Sequence, residues 1–305
     1  MSELVDLSKL PAPDVLEELD FETLLAERKA KFISLYPEDE QAYWTARLAM
    51  EAEPIVKLLE ENCYLQMLER QRINNAAKAT MLAYATGTDL DVLAANFNVS
   101  RLVIQEADNT VNPPVEEILE PDDDFRTRVQ LKFEALSGAG PRKAYTYHAL
   151  SADGKIADVS VESPAPAYVD VTVLSRFNDG VPTDEMIKKV VTVLNDEDVR
   201  PIADRVNVKK AKKVEYQVNA KLHLFRGPQI EPIKATAEKK LSQLINQTKR
   251  LGRDITISAL HSALHVAGVQ KVELLEPLSD IVLNNEQAGY CTATTITLVI
   301  SDEYS

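Results

Sequence analysis

PIVKLLEENCYLQMLERQRINNAAKATMLAYA, residues 54–85, reads as one long helix. Pro54 suits a first helical position, where its missing N–H costs nothing. After it Ile55, Leu58, Leu59, Cys63, Leu65, Ile73, Ala76, Ala77, Met81 and Tyr84 fall within one broad face at 100° per residue. Such a face must be buried. At 1.5 Å per residue the helix would be about 48 Å long, against a diameter of roughly 50 Å for a compact globule of the whole chain. It is therefore expected to project or to span the body. Gln66, Glu69 and Arg70 interrupt the apolar face, and Arg72, Asn74 and Asn75 follow. Polar groups there need partners, either in registry contacts between helices of different chains or by pairing within one bundle.

N-terminal to this helix, Pro11 and Pro13 mark an extended arm over residues 1–20, since proline and the residue before it avoid helix. Phe21, Leu24, Leu25, Arg28 and Phe32 then follow a helical spacing that Tyr36-Pro37 closes, and a second helical stretch starts near Glu38. Beyond the long helix, Gly87 fits a glycine C-cap, with Thr88 and Asp89 opening a short helix through Leu90, Leu93, Ala94 and Phe97. A helical, bundle-forming region is thus predicted over 21–105. Residues 106–121, with Pro113-Pro114 and several acids, have linker composition.

From Asp122 the pattern changes. Asp122, Asp123 and Asp124 open a helix carrying Phe125, Val129, Phe133 and Leu136; Ser137-Gly138-Ala139-Gly140-Pro141 ends it before another around Tyr145 and Leu150. A hairpin of Ala157, Val159, Val161 and Val169, Val171, Val173 follows, then a helix over 183–194 and a strand with Val206 and Val208, closing a first module at 122–210. The cleanest period-two run, Val214 to Leu224, opens a second module over 211–305. Its helix carries Ile230, Ile233, Ala237, Leu241, Leu244 and Ile245, and a short helix with Ile257, Leu260 and Leu264 precedes a strand at Val272 and Leu274. Ile281 to Leu283 and Ile296, Leu298, Ile300 read as added strands. The predicted fold class is α+β: a long N-terminal helical arm or bundle, then two small α/β sandwich modules in series.

Little in the chain points to catalysis. GxxxxGK[ST], GxGxxG and GxSxG are absent, and nine glycines leave few backbone cradles. His261 and His265 stand at i, i+4 as in HExxH, but Ser262, Ala263 and Leu264 lie between them, so the glutamate base is missing and local hydrogen bonding is the better reading; a hydrolase would have to recruit an acid such as Glu273. Asp122 to Asp124 lack the alternate spacing and glycine of a calcium loop. No catalytic, metal or cofactor residue is therefore assigned, and no cofactor. Cys63 and Cys291 match no redox or metal spacing and are expected as reduced thiols. A net charge of −14 repels phosphate backbones, so no nucleic acid is expected, and no apolar run approaches the roughly 20 residues that would insert in a membrane. Lys209, Lys210, Lys212 and Lys213 are predicted in a turn or on a charged edge, with an acidic partner as the sharper alternative.

Several strings resemble a known family: LPAPDV at 10–15, ELDFE at 18–22, LYPED at 35–39, EAEPIVKLLEEN at 51–62, RQRIN at 70–74, AYATGTDL at 83–90, ANFNV at 95–99, SADG at 151–154, DVRP at 198–201 and LGRDI at 251–255. Together they resemble the baseplate J-like family of contractile-tailed phages and of related particles such as contractile pyocins, over nearly the full length. The resemblance implies a noncatalytic structural wedge protein. Two copies would join one smaller wedge protein of the tail protein I type through a shared N-terminal helix bundle. Further copies would close a ring around the hub through the C-terminal modules, next to a sheath-initiating baseplate protein, to support sheath assembly and the triggering of contraction. Assembly would take place in the host bacterial cytoplasm and end in the virion tail, or in a bacteriocin or injection particle with the same role. The residues expected to meet the partner in the bundle are Ile55, Leu58, Leu59, Leu65, Arg70, Arg72, Ile73 and Asn74.

Overall fold

The computed structural model describes residues 4–137, 140–225 and 230–300. Gly138 and Ala139 of the expected helix stop lie outside the described residues. The chain divides into two compact units, Met1–Ser100 and Arg101–Ser305.

The first unit is helical: α1 (Phe21–Ile33), α2 (Glu38–Leu48), α3 (Pro54–Ala79) and α4 (Gly87–Ala95). The Asp20 carboxylate caps α1 by accepting the Thr23 N–H at 2.9 Å. The core between α1 and α3 is formed by Leu24, Leu25 and Cys63, with Phe21, Leu59 and Met67 packed against it. At the α1–α2 corner Phe32, Tyr36 and Trp44 stack with ring centroids 4.7 to 5.5 Å apart.

The long helix is shorter than its periodicity suggests. It ends at Ala79, not Ala85, which makes it about 39 Å long rather than about 48 Å. At this end the Thr80 hydroxyl and N–H both donate to the Ala77 carbonyl, at 2.8 and 3.2 Å. Met81 to Ala85 continue as tight turns, with the Ala85 N–H donating to the Met81 carbonyl. Gly87, at φ 53°, begins α4 instead of closing α3.

The second unit opens with β1 (Val103–Gln105) and β2 (Ile118–Leu119), an antiparallel pair inside and beside the stretch of linker composition, where Asp108 and Val115 also bridge. Helices α5 (Asp122–Ala135) and α6 (Arg142–Ser151) follow. A three-stranded sheet then forms from β3 (Ile156–Ala165), β4 (Tyr168–Ser175) and β5 (Arg205–Lys210), with α7 (Asp184–Leu194) as the crossover between the parallel pair β4 and β5. Tyr145 and Ala149 of α6 and Met186, Val190 and Leu194 of α7 share a core with Val159, Val161, Val171 and Val173 of the sheet. The alternation of valines with polar residues places one face of β3 and β4 in that core.

The second sheet has the order β7-β6-β8, from β6 (Lys212–Leu224), β7 (Val269–Glu276) and β8 (Gln287–Ile300); β6 is antiparallel to β7 and parallel to β8. Tyr216, Val218, Ala220, Leu222 and Leu224 face Ala237 and Leu241 of α8 (Ile230–Thr248) and Leu260 and Leu264 of α9 (Ile257–Leu264). Ile281 to Leu283 do not form a strand: Ile281 makes only an isolated bridge to Ile255, and the last strand is instead one long run from Gln287. The mixed α+β class, helical first and sheet modules after, holds throughout.

The lysine run is not a turn. Lys209 and Lys210 end β5, Lys212 and Lys213 begin β6, and only Ala211 stands between. The Ala211 N–H donates to the Val173 carbonyl, and Ala211 packs with Leu174, Ala288, Ala157 and Leu251 in a small core of its own. The two sheets thus join through nearly continuous backbone.

Candidate assembly site

On α3 two stripes separate by helical phase. The first runs through Val56, Leu59, Cys63, Met67, Arg70 and Asn74, spaced three and four apart, which is the geometry of one helix face. Its apolar members pack on α1 or are buried. Its polar members pair within the chain. Arg28 donates to the Gln66 amide oxygen through Nε and Nη2 at 3.1 and 2.8 Å, and Arg70 binds the Glu17 carboxylate at 3.0 Å. The buried Asn74 side chain accepts the Glu17 N–H at 3.1 Å and donates to the Glu17 carbonyl at 2.8 Å, so it pairs with the arm as a neighbouring strand would.

The second stripe points the other way. Leu58 and Leu65 lie seven residues apart, with Arg72 a further seven on, and Leu68 sits beside them; Leu58 is 57% exposed, Leu65 51% and Leu68 47%. Ile73, 63% exposed, and the half-buried Ile55 flank this stripe on one side, and Tyr64 on the other. Of the residues expected at a partner bundle, then, Leu58, Leu65, Arg72 and Ile73 are open, while Leu59, Arg70 and Asn74 hold this chain's own first helix and arm. Leu68 and Tyr64 are exposed beside this stripe and lie outside the single apolar face that the periodicity predicts, because two faces lie back to back.

Elsewhere the charged residues satisfy one another. The triple aspartate does not cap α5, whose N-cap is Pro121 with no side-chain hydrogen bond. Instead Asp122 binds Arg101 at 2.8 Å, Asp123 binds Arg126 at 2.8 Å, and Asp124 binds Arg176 and Arg250 at 2.5 and 2.7 Å. Arg128 and Glu120, both almost fully buried, form a two-pronged pair at 2.6 and 3.0 Å, and Glu120 also accepts the Leu102 N–H. Asp158 accepts the N–H groups of Val159 and Leu251, and burial pushes its carboxyl above the usual range. Glu120, Asp124, Arg128, Asp158, Arg176 and Arg250 line one small cavity, where acids and guanidinium groups lie side by side.

The lysines also find carboxylates within the chain. Lys209 bridges Asp170 of β4 and Glu286, at 2.7 and 2.9 Å; Lys212 reaches Glu286, Lys210 reaches Asp184, and Lys213 reaches Glu215 and Asp179. An acidic partner is not needed to explain them. His265 is the C-cap of α9 and its N–H donates to the His261 carbonyl at 2.9 Å, so the two histidines stand one turn apart, as their i, i+4 spacing implies. Glu273 instead meets His223 at 3.2 Å. Among the described residues no cluster of three His, Cys, Asp or Glu is placed to hold a metal, and no helix is long and apolar enough to cross a membrane.

Three family models match in chain order. Residues 51–108 match the Baseplate J-like N-terminal domain, 137–210 the Baseplate J-like central domain, and 216–298 the Baseplate J-like protein C-terminal domain. Baseplate protein J of Escherichia phage P2 is 56% identical over 300 residues, which span 98% of this chain and 99% of that protein. Among solved structures, a chain of the anti-feeding prophage (AFP) baseplate aligns with a TM-score of 0.41 at 12% identity, over 66% of this chain and 50% of that one.

Proposed function

Since this chain belongs to the Baseplate J-like family, we propose that it is a noncatalytic wedge protein of a contractile-tail baseplate. In this reading its N-terminal helices bind a smaller wedge protein, further copies of itself complete a ring around the hub, and the ring supports sheath assembly and the triggering of contraction. It is built in the host cytoplasm and ends in the tail baseplate of a virion, or in the baseplate of a tail-derived particle. The observation that carries the reading beyond the family is the outer stripe of α3. Leu58, Leu65 and Leu68 repeat along one helix face and stay about half exposed, and an apolar seam of this kind marks an interface.

The two faces of α3 make the reading testable. Leu65→Asp introduces a charge where only a partner would bury it. We expect it to leave the melting temperature of the isolated chain within about 2 °C, equivalent to a few tenths of a kcal/mol, while co-purification with the co-expressed smaller wedge protein is lost. Leu59→Asp, on the inner face, should instead unfold the first unit, because it buries a charge against Leu24 and Leu25. Native mass spectrometry of the co-expressed pair reads both. A Leu65→Asp chain that still forms the complex in full yield would overturn the assignment.

A further inference from the structure

The outer face of α3 carries charges as well as leucines. Leu58, Glu61, Leu65, Leu68, Arg72 and Asn75 follow one another at alternating steps of three and four residues, the spacing of a coiled-coil seam. All six are exposed. Together they span about 26 Å of helix. Lys57 pairs with Glu60 on the adjoining surface, and Arg70 pairs with Glu17 on the inner face. Glu61 and Arg72 form no ion pair among the described residues.

The six positions are symmetric about the point midway between Gln66 and Met67: Leu65 mirrors Leu68, Glu61 mirrors Arg72 and Leu58 mirrors Asn75. Any seam of this period has such a symmetry of position. What is particular to α3 is that the mirrored leucines match and the mirrored charges are opposite in sign. A two-fold axis through that point and perpendicular to the helix sets Leu65 against Leu68 of a second α3 twice, and Glu61 against Arg72 twice. Leu58 and Asn75 meet at the two ends, next to solvent. On the flanks Tyr64 comes opposite Gln71, and Asn62 opposite Glu69, so no like charges face one another there. A parallel pair would instead set Glu61 on Glu61 and Arg72 on Arg72, and like charges in contact cost several kcal/mol.

We propose that, without its baseplate partner, this chain pairs with a second copy through α3, antiparallel, with Glu61 of each copy bound to Arg72 of the other. Charge complementarity selects this occupant, because the seam supplies both halves of its own ion pair. The contact is isologous, so it closes at a dimer and does not propagate. It belongs to the unassembled chain, is distinct from the complex with the smaller wedge protein, and covers the leucines until that partner arrives. The inference rests on the reading of this face as an assembly surface. Since the seam is short and each copy carries −14, the pairing is weak.

Sedimentation velocity of the full chain expressed alone, from micromolar to submillimolar concentration, tests this by charge reversal. Wild type should reach a dimer at the upper end of the range. Glu61→Arg and Arg72→Glu should each weaken dimerisation by about tenfold or more, because each brings like charges together twice. Combining Glu61→Arg with Arg72→Glu should return it to within about threefold of wild type. That recovery cannot arise inside one chain, where the two positions lie about 17 Å apart along the helix. A chain that stays monomeric throughout, or a double variant no better than either single one, would overturn the proposal. Capture of the co-expressed smaller wedge protein is scored separately. A monomeric chain that captures it sinks only the self-pairing, and a dimer with the charge-reversal pattern that fails to capture it sinks only the wedge reading.

Discussion

Asn74 ends the inner stripe of α3 and is buried, which would be costly for an amide without partners. It is held because Glu17, 57 positions away, presents both a backbone N–H and a carbonyl to it. The same logic governs Arg128, whose guanidinium is buried against Glu120. Breaking a buried pair from one side strands a charge, so Arg128→Met should destabilise the second unit by about 3–5 kcal/mol. Adding Glu120→Gln should recover part of that loss, since no unpaired carboxylate then remains. Urea unfolding of the two variants, read as the shift in midpoint, checks both the size and the non-additivity. That Gln66, Arg70 and Asn74 on the long helix need partners was legible in the sequence, whereas the Arg128–Glu120 pair was not. Which residues they meet was not, because Arg28 with Gln66, Glu17 with Asn74 and Asp124 with Arg250 meet only through the fold, and spacing constrains only neighbours along one element.

At the scale of elements, the junction of β5 and β6 depends on Lys209. It ties Asp170 of the first sheet to Glu286, which precedes β8 in the second. The hydrogen bonds from Lys209 and Asn207 hold the Asp170 carboxyl below its ordinary range, and those from Lys209 and Lys212 do the same for Glu286. A carboxylate with a lowered folded pKa contributes stability above its unfolded pKa, near 4, and loses it as the pH falls through the folded value. Between about pH 5 and about pH 3 the wild-type second unit should therefore lose melting temperature more steeply than Lys209→Met, whose clip is already absent. Parallel acid slopes for the two chains would show that the clip contributes nothing. The strands and helices of this region were readable from periods of 2 and 3.6 residues. The end of α3 at Ala79 was not, since alanine, lysine, alanine and threonine continue the period past it.

At the scale of the whole molecule the boundary between the units falls at Ser100–Arg101, ahead of the stretch of linker composition. We propose that 122–210 and 211–305 act as modules within the second unit, each built around one three-stranded sheet. Arg101, Leu102 and Glu120 nonetheless belong to the same network as Asp122 and Arg128. A fragment of residues 101–305 should accordingly fold and unfold cooperatively. A fragment that begins at Asp122 should be less stable, because it leaves Arg128 buried without Glu120. Thermal melts of the two fragments decide this: equal melting temperatures would mean that the leading segment contributes nothing.

The sequence by itself determined most of the helices and strands in order, though not β1 and β2 or the loop from Ile281 to Leu283, together with the helical character of the first third, the absence of site motifs and the family the chain belongs to, because periodicity and strings of residues are properties of the chain. Only the tertiary structure decided that α3 has a face turned inward and a face turned out. It also decided that the lysines and aspartates answer one another. Each of these depends on which distant residues come to stand opposite one another, and that is set by packing many elements around common cores, which no local pattern specifies.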